Sequence, residues 1–249
     1  MFKLLNFEMH KLIRQKSFYI IIAVIAAMAV LTAYTSKLIS GTAGVESASN
    51  GMINMISAVG SNSLSMIIGI FISLFVCDDY VSGTIRNILT RGYTRFSVYM
   101  AKLIAVLFAT VILTVVCMAA AYGIGRVFWG HGDISFDFDV VKILLYQLAV
   151  ILAFAAVYYA IASVLQKVGA SIAVCVVLSL FVSILLKFAD AALVEQEITL
   201  SEYWLDNVLY PLLSFDVEFD AVKKALITSG CYFAGSLTIG WLAIMKREY

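Results

Sequence analysis

Six stretches of about 20 residues, nearly empty of charge, dominate this 249-residue chain and leave it few ways to fold. A run that long and that apolar is stable as a helix across a bilayer, because a helix satisfies its own backbone hydrogen bonds where no water can. The stretches fall at roughly 17–36, 56–76, 103–123, 143–165, 170–189 and 223–244. Composition agrees: 63% of residues are hydrophobic and 13% are charged, about half the charge of a typical soluble domain. The sequence therefore predicts an all-α membrane protein with six transmembrane helices. Gln166, Lys167 and Gly169 split the run from Leu144 to Leu186 into two spans, which so short a link must fold as an antiparallel hairpin. The first run, Phe18 to Ala33, exceeds the usual core of a cleaved signal and reads as a retained span.

Basic residues set the orientation, since they accumulate on the cytoplasmic side. With the N-terminus inside, the inner segments hold 11 of the 17 Lys and Arg residues and only Glu8, Asp78, Asp79 and Glu248 among the 16 acids. The inner face is then +7 and the outer face −6. Both termini are expected in the cytoplasm.

Three segments outside the spans carry information. In residues 1–16, Phe2, Leu5, Met9, Leu12 and Ile13 recur at helical spacing, with Lys3, His10, Lys11 and Arg14 on the other side. Such a basic amphipathic helix lies in the inner interface, as an anchor for the first span or as a docking face for a partner. The inner loop 78–102 has a seven-residue stretch, Thr84 to Thr90, able to form two helical turns with Ile85, Ile88 and Leu89 on one side. Gly83 and Gly92 flank it, and Arg86, Arg91, Arg95 and Lys102 make it basic. The outer segment from Asp190 to Asp220 holds eight acids, among them Glu195, Glu197, Glu202 and Asp206, and no Lys or Arg. Within it, Tyr203 to Leu213, including Trp204 and the single proline Pro211, is too short to span and too apolar for a free loop. Its acids are a solvated outer face or an acidic exit lip suited to cationic cargo.

Several chemistries are excluded. No phosphate-binding G-x-x-x-x-G-K-[ST] loop occurs, so ATP hydrolysis is not expected in this chain. Two histidines, His10 and His131, cannot build a metal or hydrolase centre, and the four cysteines stand singly. No catalytic site and no metal site are expected, and nothing points to nucleic acid. Within the spans the polar residues are neutral (Asn62, Ser65, Ser73, Thr110, Thr114, Gln147, Tyr158, Tyr159, Ser179 and Ser183), whereas ion-coupled carriers keep an ionisable group there.

The loop residues Asp79, Gly83, Thr84, Leu89, Arg95 and Lys102 resemble the signature region of type-2 family ABC exporter permeases, with a leaning toward those of bacteriocin-immunity and amphipathic-peptide exporters. Gly92 stands where proline is usual in that pattern, and Ala101 where glycine is usual. The motif covers about 25 residues; the layout of interface helix, six spans and long last outer loop covers the chain. The resemblance implies that Thr84–Thr90 is the coupling helix that docks into an ATPase, with Asp79, Gly83, Thr84, Arg86, Leu89, Arg91, Arg95 and Lys102 forming the coupling site. It implies that Phe2, Leu5, Met9, Lys11, Leu12 and Arg14 form the interface helix, that 17–249 is the transmembrane domain, and that 190–222 includes a re-entrant segment before the last span. It further implies two copies of a cytoplasmic ATP-binding subunit holding ATP and Mg, a second permease copy or paralogue, the bacterial cytoplasmic membrane, and a peptide or lipophilic cargo. A membrane-embedded sensor or scaffold that binds an ATPase without transport, and a stand-alone secondary carrier, remain alternatives.

Overall fold

A computed structural model describes residues 2–43, 51–129, 138–192, 201–213 and 219–245. The helices are α1 (Phe2–Arg14), α2 (Lys16–Ala43), α3 (Gly51–Val59), α4 (Asn62–Val81), α5 (Thr84–Thr90), α6 (Arg95–Trp129), α7 (Phe138–Leu165), α8 (Val168–Ala192), α9 (Leu205–Leu209) and α10 (Phe219–Met245). Short 3₁₀ turns at Ser201–Tyr203 and Tyr210–Leu213 flank α9. Six helices, α2, α4, α6, α7, α8 and α10, are long and apolar enough to cross a membrane. The protein is an all-α, multi-pass membrane protein.

The bundle is layered around α4 and α7, which are mostly buried; α2, α8 and α10 keep most of their surface outward. α7 packs against α10, α4 and α6, while α8 lies on α4. On α8 the outward residues include Val177, Phe181, Ile184, Leu185 and Phe188, a face that only lipid or another apolar surface covers comfortably. Packing and hydrogen bonds, rather than a hydrophobic driving force, hold helices together in lipid. Several of the neutral polar residues serve this purpose. Asn62 Nδ2 donates to the Ser179 carbonyl at 2.7 Å, Ser73 and Ser171 share a hydroxyl contact at 2.8 Å, and Asn54 Nδ2 donates to the Ala121 carbonyl at 2.7 Å.

Two boundaries differ from the sequence expectation. The second span begins at Asn62 rather than near 56, because the chain breaks at Gly60-Ser61 and the preceding residues form the separate helix α3. A Cβ at Gly60 would stand 2.4 Å from Leu213, so this turn accommodates the segment around α9. α3 also crosses α6 closely: a Cβ at Gly125 would lie 2.7 Å from the Gly51 Cα. The second difference lies in the 78–102 loop, most of which is helical. α4 runs on through Asp79 to Val81, and α6 already begins at Arg95. Asp79 and Lys102 therefore belong to the buried ends of long helices, which corrects the expectation that ionisable groups are nearly absent there.

Candidate functional site

The α5 end of the bundle brings two of the singled-out segments together. Gly83 precedes α5 with φ +70° and Gly92 follows it with φ +85°, so both turns use a left-handed backbone that glycine adopts at little cost. Proline, fixed near φ −65°, cannot occupy position 92 in this turn. Ile85 and Ile88 face inward, as their spacing predicted, and Leu89 is half-buried. Leu4 of α1, Ile88 of α5, and Val98 and Ala101 of α6 share one small core, so α1 and α5 rest on the same stretch of α6. The Ala101 methyl fills part of that core. Arg86 and Arg91 are exposed; Arg95 is half-buried and its Nη1 donates to the Met245 carbonyl at 3.4 Å, tying α6 to the end of α10. A polar cavity of about 290 Å³ separates α5 from the α7–α8 turn, lined by Tyr80, Val81, Gly83, Ile85, Arg86 and Gln166.

Behind this surface lies a buried cluster of four ionisable groups from three helices. Lys11 of α1 and Lys102 of α6 each pair with Asp79 of α4, one on each carboxylate oxygen. Glu8 of α1 lies 3.9 Å from the Lys102 ammonium, and its Oε2 is buried without a hydrogen-bond partner. Burial pushes the Glu8 carboxyl above its ordinary range, against the opposing pull of Lys102. Both ammonium groups also lie over the Phe75 ring, at 5.2 and 5.8 Å from its centre. A cluster of this kind is stable only when its members remain together, since removing one leaves buried charge uncompensated.

The inward face of α1 is rotated from the one expected. Leu4, Glu8 and Leu12 are buried, with Leu5, Met9 and Lys11 half-buried, whereas Ile13 and Arg14 are exposed. Phe2 begins the helix. Lys11, expected on the polar side, turns inward because Asp79 awaits it. Glu8 is the site residue that sequence reasoning missed. The available signal was the i, i+4 ridge Leu4–Glu8–Leu12, which places a carboxylate in the middle of an apolar row.

At the opposite end, residues 201–213 fold back against α7, α8 and α10. Trp204, Leu205, Val208, Leu209 and Leu212 are buried, and Pro211 sits in the 3₁₀ turn where α9 stops. Trp204 packs edge-on against Phe154 and Tyr232. Gln147 Nε2 donates to the carbonyls of Leu212 at 3.0 Å and Ile56 at 3.3 Å, joining α7, α3 and this segment. The expected lip residues are distributed differently from a solvated rim. Glu202 is exposed and pairs with Lys224 of α10. Asp206 is half-buried: its Oδ2 accepts from Ser183 Oγ at 3.0 Å and Trp204 Nε1 at 2.9 Å, while Oδ1 is buried and unpartnered. Glu195 and Glu197 lie outside the described residues, as do His131 and the outermost C-terminal residues.

Away from both ends, an apolar groove of about 600 Å³ opens between α7, α8 and α10, lined by residues including Val157, Val164, Val174, Tyr232 and Ile239. Among the described residues, no three His, Cys, Asp or Glu side chains converge as metal ligands.

A family model described as ABC-2 family transporter protein matches residues 4–185. The match runs from α1 into α8 and so takes in α5 and the Glu8–Lys11–Asp79–Lys102 cluster, stopping before α9 and α10. No curated protein matches the chain.

Proposed function

Since the chain belongs to the ABC-2 family of transporter proteins, membrane components that work with an ATP-binding subunit, we propose that it is the permease of an ATP-driven exporter whose α5 receives the stroke of that subunit. The family match reaches the membrane component and the general need for an ATPase; cargo, stoichiometry and direction are our reading. The observation that carries it is the shared footing of α1 and α5 on α6, backed by the Glu8–Lys11–Asp79–Lys102 cluster. A force applied to α5 reaches α1 through the Leu4–Ile88 core and α4 through Asp79, so three elements move as one.

In this reading the α5 end is cytoplasmic, as the excess of Lys and Arg there favours. The permease lies in a bacterial cytoplasmic membrane with both termini inside, paired with a second permease copy or paralogue. Two ATPase subunits supply ATP and Mg chemistry that this chain lacks. The preferred cargo is an amphipathic cationic peptide, drawn outward past the acid-rich segment 190–220. The apolar groove between α7, α8 and α10 supports a lipophilic drug as the second choice of cargo.

The test is co-purification from native membranes in mild detergent, followed by ATP turnover with cationic peptides. A stoichiometric ATPase, lost on reversing Arg86, Arg91 and Arg95 to Glu while membrane insertion stays intact, is the expected outcome. A retained ATPase in that variant defeats the docking assignment. An ATPase whose turnover ignores every cargo turns the protein into a scaffold.

A further inference from the structure

The outer segment is held down by a carboxyl group in an unusual position. Asp206 is the meeting point of α9 and α8: Ser183 Oγ and Trp204 Nε1 both donate to its Oδ2, and its Oδ1 is buried with no partner. Asp190 of α8 fastens the same segment a few residues away by accepting from the Ser201 amide at 3.0 Å, and Asn207 Nδ2 closes onto the Ser201 carbonyl at 2.8 Å. No cation pairs with Asp206 among the described residues. On α8, Lys187 is exposed and Asp190 is engaged with Ser201. On α10, Lys224 pairs with Glu202, and Tyr232 is in edge contact with Trp204. From α7, the buried Tyr158 hydroxyl is near enough to feel the Asp206 charge and lies beside the Ser65 and Ser179 hydroxyls. Tyr203 flanks the site beside Lys224.

A carboxylate so placed keeps one oxygen buried without a donor from the protein, and an uncompensated buried charge is costly. A neutral carboxyl avoids most of that cost: the carbonyl oxygen keeps both bonds and the hydroxyl occupies the unpartnered position, leaving one unmade hydrogen bond in place of a bare charge. We propose that Asp206 is a proton-operated latch, seated as the neutral acid while segment 201–213 is closed and releasing its proton to bulk water when the segment lifts from α8. No covalent bond changes; one proton leaves with each opening and returns with each closing.

Burial raises the Asp206 carboxyl above the ordinary range, only partly opposed by the bonds from Trp204 and Ser183. In the open state the group returns to an ordinary aspartic acid. The closed state therefore binds the proton more tightly. Its advantage is complete below the open-state value and disappears as pH rises through the raised closed-state value. With the α9 end outward, acid outside keeps the exit shut and neutral medium frees it.

Trp204 reports on the latch directly, since its indole bonds Asp206 and is buried. The full chain in nanodiscs, with Trp129→Phe and Trp241→Phe leaving Trp204 as the single tryptophan, is titrated from acid to mildly alkaline pH while its emission is followed. The expected result is a reversible red shift on raising pH, with a midpoint above the usual carboxylate range. Asp206→Asn keeps an acceptor and cannot ionise, so its emission stays blue and flat. Ser183→Ala removes a bond that the seated acid keeps and the open state lacks, so the segment opens more readily and the midpoint moves downward. This second variant leaves the carboxyl intact and decides the matter if the first does not fold. A flat wild-type titration, a pH response that persists in Asp206→Asn, or a Ser183→Ala midpoint that stays put or rises overturns the latch. None of these outcomes bears on whether the protein binds an ATPase.

Discussion

The two ends of this bundle bury ionisable groups by opposite means. At the α5 end, two ammonium groups enclose the Asp79 carboxylate and α1 contributes Glu8 as well as Lys11, so charge is met with charge across α1, α4 and α6. At the α9 end, Asp206 is met only by neutral donors, Ser183 and Trp204, and keeps one oxygen bare. Paired charges resist separation because each partner would be stranded in a medium that solvates it poorly. Neutral hydrogen bonds to a titratable acid separate more readily, and pH tunes them. The contrast teaches a division of labour: the α5 end is built to move as one body, and the α9 end is built to open.

Removing one member of the charged cluster breaks the comparison most sharply. Lys102→Met leaves Asp79 with only the half-exposed Lys11, and leaves Glu8 without its nearest cation. A loss of about 3–5 kcal/mol is expected, the usual cost of stranding a buried charge. Thermal unfolding in detergent measures it. The double variant Asp79→Asn/Lys102→Met removes both charges and should recover much of the loss, because their energies are strongly coupled. A single variant as stable as wild type would mean that α1 is not clamped by charge.

Much of the architecture was legible because lipid imposes a simple code. Each run long enough to span appears as a helix, and the α7–α8 break falls at Gln166 and Lys167, between Leu165 and Val168. α5 was legible in full, since Gly83 and Gly92 mark turns that need positive φ on either side of Thr84–Thr90. The charged cluster was not. A hydropathy reading ends a span at its first charge, so Asp79 and Lys102 look like loop residues when in fact each is buried by its partner. Glu8 was hidden differently: its role depends on which face of α1 meets α6, and Asp79 decides that rotation from 71 positions away in the chain. Asp206 was misplaced because eight acids in one segment suggest water, whereas the buried side of α9 is set by its fit onto α7 and α10; the apolar run around Trp204 was the part of that segment the sequence marked as unfit for a free loop. The break at Gly60 was invisible for a related reason, since only the neighbouring Leu213 makes a side chain there impossible without movement.

A second substitution sharpens the comparison from the side of pure packing. Gly125→Ala places a methyl 2.7 Å from the Gly51 backbone, where α3 crosses α6, and neither helix can yield by turning a side chain. The expected cost is about 1–3 kcal/mol, typical of overpacking. It should also disturb the Gln147 bridge from Ile56 to Leu212, raising the accessibility of the α9 segment to a water-soluble thiol probe at Leu205→Cys. An unchanged melting temperature would show that α3 shifts freely, and that the segment is supported from α8 and α10 alone.

The smallest effect belongs to the ion pair between Glu202 and Lys224, which joins the α9 segment to α10 and resembles the charged cluster only on paper. Both side chains are substantially exposed, so water and salt screen their attraction and ordering two flexible chains offsets part of it. Glu202→Gln is expected to cost no more than about 1 kcal/mol, and the difference should vanish at high salt. Its melting curve, run beside that of Lys102→Met at two ionic strengths, gives the two ends on one scale. A Glu202→Gln loss equal to that of Lys102→Met would mean that the α9 end too is clamped by charge, and the division between a rigid end and an opening one would fail. A small, salt-sensitive loss leaves the Asp206 carboxyl and its neutral donors as the polar hold that matters there.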